Sequence, residues 1–576
     1  MVENLLKFFG RELKSVPQAA FLLAVSGILA DILALLRDRL LASEFGASRA
    51  LDLYYVSFRI PDFIYTLSLF FAASTALIPI VLEKFSESDA KGREFIGSVF
   101  SLFLLVIIVL VAAAYLLMPY LIPYAAPGFS AEEQSQVILL SRILLLSPFL
   151  LGLSNLVSSV IQSFRRFYIY ALSPLFYNLG IILGIIVFYP LWGLPGIVWG
   201  VVLGAGLHLL IQLPTVSGLG FPLRPRFPKI SPDIVASLKL SVPRTLGLSL
   251  NQLVSIAITA IGSTLGAGAV AVFNLATNLQ SVPLSVIGLS YSIGAFPTLA
   301  ASYVENKKEE FLKYFSLAFR HIVFWSLPAT VLFIVLRAQI VRVVLGAGAF
   351  SWVDTRLTAA SLFLLALSIL AQGLIMLLVR AFYAAGHTFL PVGINLVSSI
   401  ATVGGALWAL GIFRASAAFR EWLLEFLKVG DVPGGEILLL PLAISLGSFI
   451  NIVFLLIYFK KIFGSFGGGP PVFDPEGLRP ERAGGLNRSF RDAAISSVVL
   501  GAVSYYALKP LALVFTLDTF AGVFFQGFLA GVLGLSAGAG VLYSLKNREF
   551  KEFSMAFREK FWKKIFVIAS EPEKLP

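Results

Sequence analysis

Long apolar stretches recur along the chain, separated by short polar or Gly- and Pro-containing connections. Each is longer than an ordinary strand and none alternates strictly between apolar and polar positions, so each predicts a helix. About 20 apolar residues cross a bilayer, and on that measure about fourteen spans can be placed. They fall at 17–41, 52–82, 96–124, 136–163, 169–190, 194–215, 243–265, 268–303, 318–344, 356–380, 388–412, 436–459, 493–516 and 520–545. The expected fold class is an all-α polytopic membrane protein.

The pattern also repeats. Phe45-Gly46-Ala47, between the first two spans, matches Leu265-Gly266-Ala267 between the seventh and eighth, and Ile78-Pro79 matches Phe296-Pro297 further on. An even number of spans separates the copies, so both keep one orientation. Parallel repeats of this kind are a transporter architecture with the site at their interface. Arg59 lies 13 residues after Gly46 and 20 before Pro79; the same counts from Gly266 and Pro297 land on Leu279 and Thr277, either side of Asn278. The first copy therefore carries a charge where the second carries an amide.

Composition agrees with the pattern: of 576 residues, 58% are hydrophobic and 13% charged, against roughly 25% charged in soluble domains. The net charge of +12 does not point to nucleic acid, because the basic residues lie in connections, where they set topology and meet anionic lipid. Lys and Arg crowd the connections on one side, among them Lys84, Lys91, Arg93, Lys307, Lys308, Lys460 and Lys461, which predicts both termini in the cytoplasm. Met1–Gly10 lacks a signal-peptide pattern, so the first span is expected to stay in place. With no cysteine, disulfides and thiolate chemistry are excluded.

Three stretches stand apart. Residues 413–435 set Phe419, Trp422, Leu423, Phe426 and Leu427 opposite Arg420, Glu421, Glu425 and Lys428, an amphipathic helix expected on the outer surface. Residues 463–492 are rich in Gly and Pro and read as a mobile cytoplasmic linker. The tail places Phe550, Phe553, Phe557, Phe561 and Ile565 on one face, an interfacial helix meeting anionic lipid on the inner leaflet.

The candidate chemistry sits in the first two spans, which hold Asp31, Arg37, Asp38, Arg39, Arg59 and Asp62. An ionisable side chain at the bilayer centre costs at least about 2.5–3.5 kcal/mol, so such residues face a cavity or a partner. The planar fork of Arg suits a diphosphate, and Arg37 and Arg59 are the candidate binders. Adjacent residues point about 100° apart on a helix, so Asp38 is expected to pair with Arg39, Arg59 or a helix end while Arg37 reaches the cavity. The alternative for Arg37 is an Arg–Asp pair locking two helices. Arg59 is expected in a wet cavity at the repeat interface, within reach of Arg37. Asp31 would bind a cation or proton, or pair with an arginine. His208, His321 and His387 lie on different spans without metal-ligand spacing, and no Walker A motif, nucleophile elbow or carboxylate cluster is present, so neither an enzyme nor a metal or cofactor site is expected.

These residues carry a resemblance. Arg37-Asp38, Phe45-Gly46-Ala47, Asp52, Phe58 to Phe63 (FRIPDF) and Ala76 to Pro79 resemble the first two helices of the MurJ/MviN lipid II flippases of the MOP transporter superfamily. The likeness continues at Arg166-Phe167, Ala171 to Asn178 (ALSPLFYN), Pro243 to Gly247, Pro283 to Gly288 and Arg380 to Ala384, with Thr388 and Pro391. It implies two six-helix lobes around a central cavity plus two C-terminal helices: an N-terminal lobe at 1–232, a C-terminal lobe at 233–462, the linker 463–492, helices 13 and 14 with a lipid-tail groove at 493–545, and the basic tail 546–576. It further implies alternating-access transfer of the undecaprenyl-diphosphate-linked peptidoglycan precursor across the bacterial cytoplasmic membrane, with membrane lipids and cell-wall synthesis proteins as partners. Arg37, Asp38 and Arg59 correspond to cavity residues of the family.

The chain departs from the family's pattern in four places. Thr277-Asn278 replaces an Asp-Arg pair, Phe70 a glutamate, and Ile64-Tyr65 basic residues; residues 246–265 contain no carboxylate where some members bind sodium. Asn278 and Gln280 are then expected to offer hydrogen bonds where a second arginine sits in relatives, completing with Asp31, Asp38 and Asp62 the polar cavity set. The alternatives are a flippase for another polyprenyl-diphosphate-linked glycan and a non-transporting membrane scaffold. Arginines fully paired with carboxylates would favour the scaffold.

Overall fold

The computed structural model describes residues 16–70, 74–164, 166–218, 232–464 and 486–557. Among them the secondary structure is helical throughout. Eleven of these helices are long and apolar enough to cross a membrane, or twelve if the bent pair Trp352–Ala366 and Ile369–Ala384 is one span. The two expected spans outside that count hold the charges. The first lies within the helix Val16–Phe45; the second is broken into Arg49–Ser57, Arg59–Ser68 and Ser74–Glu87. Pro61 explains the first break, since a proline ring displaces the carbonyl four residues earlier from its helical bond. That carbonyl, Ser57 O, instead accepts from Ser141 Oγ at 3.0 Å.

The chain forms two compact, discontinuous units. One comprises Met1–Leu279, Val344–Ser361 and Thr388–Gly447; the other comprises Gln280–Val343, Leu362–His387 and Ser448–Pro576. In the first, the helix Asp89–Ala125 supplies Phe103, Ile107, Met118 and Ile122 to a core shared with Val56, Val137, Val157 and Ile161. Beside it, Phe167–Leu183 and Leu194–Leu210 approach closely through small residues, as membrane helices do where no water drives apolar association. A β-carbon added at Gly180 would lie 2.2 Å from Gly204 Cα, and one at Gly204 would lie 2.3 Å from Tyr177 O.

The stretch 413–435 belongs to this unit and contains the helix Ala417–Phe426, capped by Ser416 Oγ, which accepts from Phe419 N. Its apolar side divides in two. Leu423 and Leu427 are buried, while Trp422 and Phe426 are exposed and stack at 5.8 Å. Arg356 holds the loop that follows by a two-pronged bond to Asp431, each prong 2.6 Å.

The second unit is centred on stacked aromatics. Phe315 of Lys308–Val335 lies 4.1 Å from Phe459 of Leu439–Phe463, which also meets Phe463 and Phe382. The last two long helices, Leu486–Val514 and Phe520–Ser544, pack against each other where Gly534 faces Ser504 and Gly538 faces Ser496. The tail helix Arg548–Phe557 docks here through one phenylalanine expected at the lipid surface and through two glutamates. Phe553 meets Trp325 edge-on at 5.0 Å, Glu552 lies 3.7 Å from His321, and buried Glu549 accepts a hydrogen bond from Ser489. Phe561 and Ile565 fall outside the described residues, as does 465–485 of the linker.

Candidate functional site

Arg37 and Asp38 lie on one helix and bond to each other. The Arg37 guanidinium donates to Asp38 Oδ1 through Nε at 2.9 Å and Nη2 at 2.7 Å, and reaches Asn178 Oδ1 at 3.4 Å. The expected partners of Asp38 were Arg39, Arg59 or a helix end; the long arginine side chain instead folds across the angle between neighbouring positions. Arg39 donates to Val344 O. The other oxygen of Asp38 accepts from Asn278 Nδ2 at 2.9 Å. Asp38 is thus shared between the Arg37 guanidinium and the Asn278 amide. Asp31 is half-buried on the same helix, seven residues earlier and so on nearly the same face as Asp38.

Arg59 does not lie in an open, wet position. It is 8% exposed, and its fork bridges two helices: Nη1 donates to Ser255 Oγ at 2.9 Å and Nη2 to Asn274 Oδ1 at 2.6 Å. Both acceptors are neutral. The third donor, Nε, is buried without a partner, and so is the hydroxyl of Tyr55. Tyr55 lies within electrostatic reach of both Arg37 and Arg59. Buried donors left unmet cost about 1–3 kcal/mol each; here one is on Arg59 itself and the other on Tyr55, within electrostatic reach of it.

Gln280 is not part of this group. Its amide donates to Leu365 O at 2.7 Å and Ser368 Oγ at 3.0 Å, tying down the break between Trp352–Ala366 and Ile369–Ala384. Two residues along a helix turn a side chain by about 200°, which separates it from Asn278. Asp62 opens onto a cavity of about 250 Å³ inside the first unit.

Sequence reasoning gave the two arginines but missed Tyr55, Asn178, Ser255 and Asn274, uncharged residues brought in from distant segments. It also left unread what Asp52 does. Gly268 N and Ala271 N donate to the buried Asp52 carboxylate at 2.7 and 2.8 Å, capping the helix Ala269–Pro283. Nearby, Ala47 N donates to Asp354 Oδ2 and Ala349 N to Ser43 O. Gly46 and Gly266 both have positive φ, +59° and +112°; at Gly46 a β-carbon would strike Ala349 O. This hairpin end is held by backbone donors on the carboxylates of Asp52 and Asp354 and on the carbonyl of Ser43. Replacing Asp52 with Ala should cost about 0.5–2 kcal/mol of the cap. Because the chain has no cysteine, Ala267→Cys provides a single label site, and its modification should speed up in the Asp52→Ala background. Unchanged labelling and melting would show that the cap holds nothing shut.

The fold is that of a multi-helix membrane carrier. The chain resembles the solved inward-facing conformation of a multidrug resistance MATE family transporter of the MOP superfamily, with a TM-score of 0.61 and 15% identity over 78% of this chain and 98% of that one. It resembles the inward closed conformation of lipid II flippase MurJ with a TM-score of 0.69 and 22% identity, covering 91% and 99% of the two chains. The family model for lipid II flippase MurJ matches residues 41–469, and the chain belongs to that family. Among its relatives is the probable lipid II flippase MurJ of Buchnera aphidicola subsp. Acyrthosiphon pisum, 29% identical over 375 residues, 64% of this chain and 73% of that protein.

Proposed function

We infer that this chain carries lipid II, the undecaprenyl-diphosphate-linked peptidoglycan precursor, from the inner to the outer leaflet of the bacterial cytoplasmic membrane by alternating access. The observation that supports this reading is the buried Arg59 fork, which meets two neutral acceptors and leaves Nε unmet, with the unmet Tyr55 hydroxyl in electrostatic reach of it and of Arg37. Arg37 and Arg59 hold the diphosphate, with Asp38 and Asn278 setting how much of Arg37 is free. The lobes are 1–232 and 233–462. The lipid tail runs along the exposed apolar faces of the last two helices, where Val498, Tyr506 and Phe528 face outward, so only the head group crosses. Both termini lie in the cytoplasm. The basic tail meets anionic lipid, and cell-wall synthesis proteins receive the product. The protein acts as a carrier, without catalytic residues or cofactor.

Purified protein in liposomes, given lipid II or another polyprenyl-diphosphate-linked glycan, tests this by leaflet-resolved head-group exposure. Transfer of lipid II is expected. Transfer of the other glycan alone would move the substrate, and transfer of neither would leave a scaffold.

Asn278→Arg tests the shared carboxylate. An arginine at 278 would take Asp38 Oδ2, weaken its hold on Arg37 and add a donor for the diphosphate. The variant should fold, bind a polyprenyl diphosphate more tightly and release it more slowly, read from the dissociation constant together with the transfer rate. Loss of the folded protein would instead mean that position 278 accepts no charge.

A further inference from the structure

The cavity onto which Asp62 opens is separate from the bonds that hold Arg37 and Arg59. It lies within the first unit, and its polar lining is Asp62, Tyr65, Ser147, Tyr177 and His208. At about 250 Å³ it has room for several waters, each needing about 30 Å³. Among the described residues no side chain donates a hydrogen bond to the Asp62 carboxylate, while its neighbours are already engaged. Asn155 donates to Tyr65 Oη at 2.8 Å, and Ser147 is bonded to the Tyr177 hydroxyl.

His208 is held in a way that suits either protonation state. Its Nδ1 lies 2.7 Å from Ser154 Oγ, which also lies 3.2 Å from the His208 carbonyl oxygen and accepts from Gln212 Nε2 at 2.7 Å. Ser158 Oγ fixes that amide by donating to Gln212 Oε1 at 2.8 Å. With a neutral ring, the Ser154 hydroxyl donates to Nδ1. With a protonated ring, Nδ1–H donates to Ser154, whose own proton turns to the carbonyl. Only a hydroxyl rotates between the two states. A ring held this way and a carboxylate without a donor line one partly open cavity.

We propose that this cavity is a proton-binding site in which Asp62 and His208 take up a proton from its water, and that its occupancy tunes the grip of Arg59 on an anion. The proton arrives as hydronium, the net new bond is to an Asp62 carboxylate oxygen or to His208 Nδ1, water is left behind, and no other covalent bond changes. The link to Arg59 is positional. Asp62 lies three residues after Arg59, under one turn of helix, and its negative charge acts on that guanidinium. Neutralising Asp62 removes this charge and strengthens the attraction of Arg59 for a diphosphate. By reciprocity, a bound diphosphate favours the protonated cavity. The other ionisable groups facing Asp62 are Tyr65 on its own helix, Tyr54 on Arg49–Ser57, Tyr177 on Phe167–Leu183 and, through Tyr54 and Tyr177, Arg37.

The second half of the proposal rests on the carrier reading; the first does not. An acid-minus-alkaline infrared difference spectrum of the full chain in liposomes should show a protonated-carboxyl band that Asp62→Asn removes and Asp62→Glu retains at a shifted position. His208→Gln should remove the imidazole signal and move the midpoint of the carboxyl band. Farnesyl diphosphate then serves as the probe for linkage. Across about pH 5 to 8 its affinity for the wild type should change about fivefold or more relative to Asp62→Asn in the same buffers, which cancels titration of the probe itself. Asp62→Glu should keep the dependence. A carboxyl band that survives in Asp62→Asn overturns the site, as does identical pH dependence in the two proteins. A wild type that moves no lipid but loses the band on substitution removes the carrier reading and leaves the proton site standing.

Discussion

Replacing Arg59 with Ala should lower head-group transfer about a hundredfold or more at matched expression. The fork meets two neutral acceptors, Ser255 Oγ and Asn274 Oδ1. A diphosphate oxygen is a better acceptor, because hydrogen bonds to an ionised group are worth about 1.5–3 kcal/mol each. Losing two of them, at about 1.4 kcal/mol per tenfold, gives that factor. Arg59→Lys keeps the charge, but a point ammonium cannot present a planar fork; a loss of about tenfold is expected, the equivalent of one such bond. The assay is leaflet-resolved transfer, with thermal melting to show that each variant folds. Normal transfer by Arg59→Ala would remove the diphosphate role. Equal loss in melting temperature and transfer would make Arg59 a helix tie alone.

The second large effect is on folding. Gly204→Leu should abolish monodisperse protein in detergent. The chain offers no room there: even a β-carbon would sit 2.3 Å from Tyr177 O, on the facing helix. Backbone atoms at that distance must separate, and the helix pair has no other means of close approach than its small residues. The damage would reach the cavity, since Tyr177 and His208 stand on these two helices. Gly206→Leu is the control, because a β-carbon at that position would have nothing within 4 Å of it. Gly204→Leu protein that melts like the wild type would mean that the contact opens freely.

Helices were legible from apolar length alone, and the charged residues of the first two spans were legible because charge in a membrane needs a reason. The break in the second span was not foreseen, although Pro61 announces it. The partners of the arginines were hidden for a physical reason. Asn178, Asn274 and Ser255 are uncharged residues that look ordinary in a span, and they lie 141, 215 and 196 positions from the arginines they meet. Adjacent Arg37 and Asp38 misled in the other direction, since helical geometry fixes where Cα atoms point and not where a long side chain ends. The tail helix was read from its phenylalanines, whereas the contacts it makes also use Glu549 and Glu552, two acidic residues in a segment otherwise rich in Lys and Arg.

On the proposed function, the bridge made by Arg59 would make substrate and protein rivals for one set of donors. Ser255 and Asn274 stand on the two helices joined at Gly266. A diphosphate that takes the whole fork must displace both, and the helices then lose their common tether to the Arg59–Ser68 helix. Resting affinity is therefore lower than the site's intrinsic affinity, in proportion to the small fraction of molecules in which the fork is already free. Substitutions that remove only the acceptors, Ser255→Ala and Asn274→Ala, should raise that fraction. In such variants cargo would bind more tightly while the departing helices lose the signal that cargo has arrived, so tighter binding would accompany slower turnover.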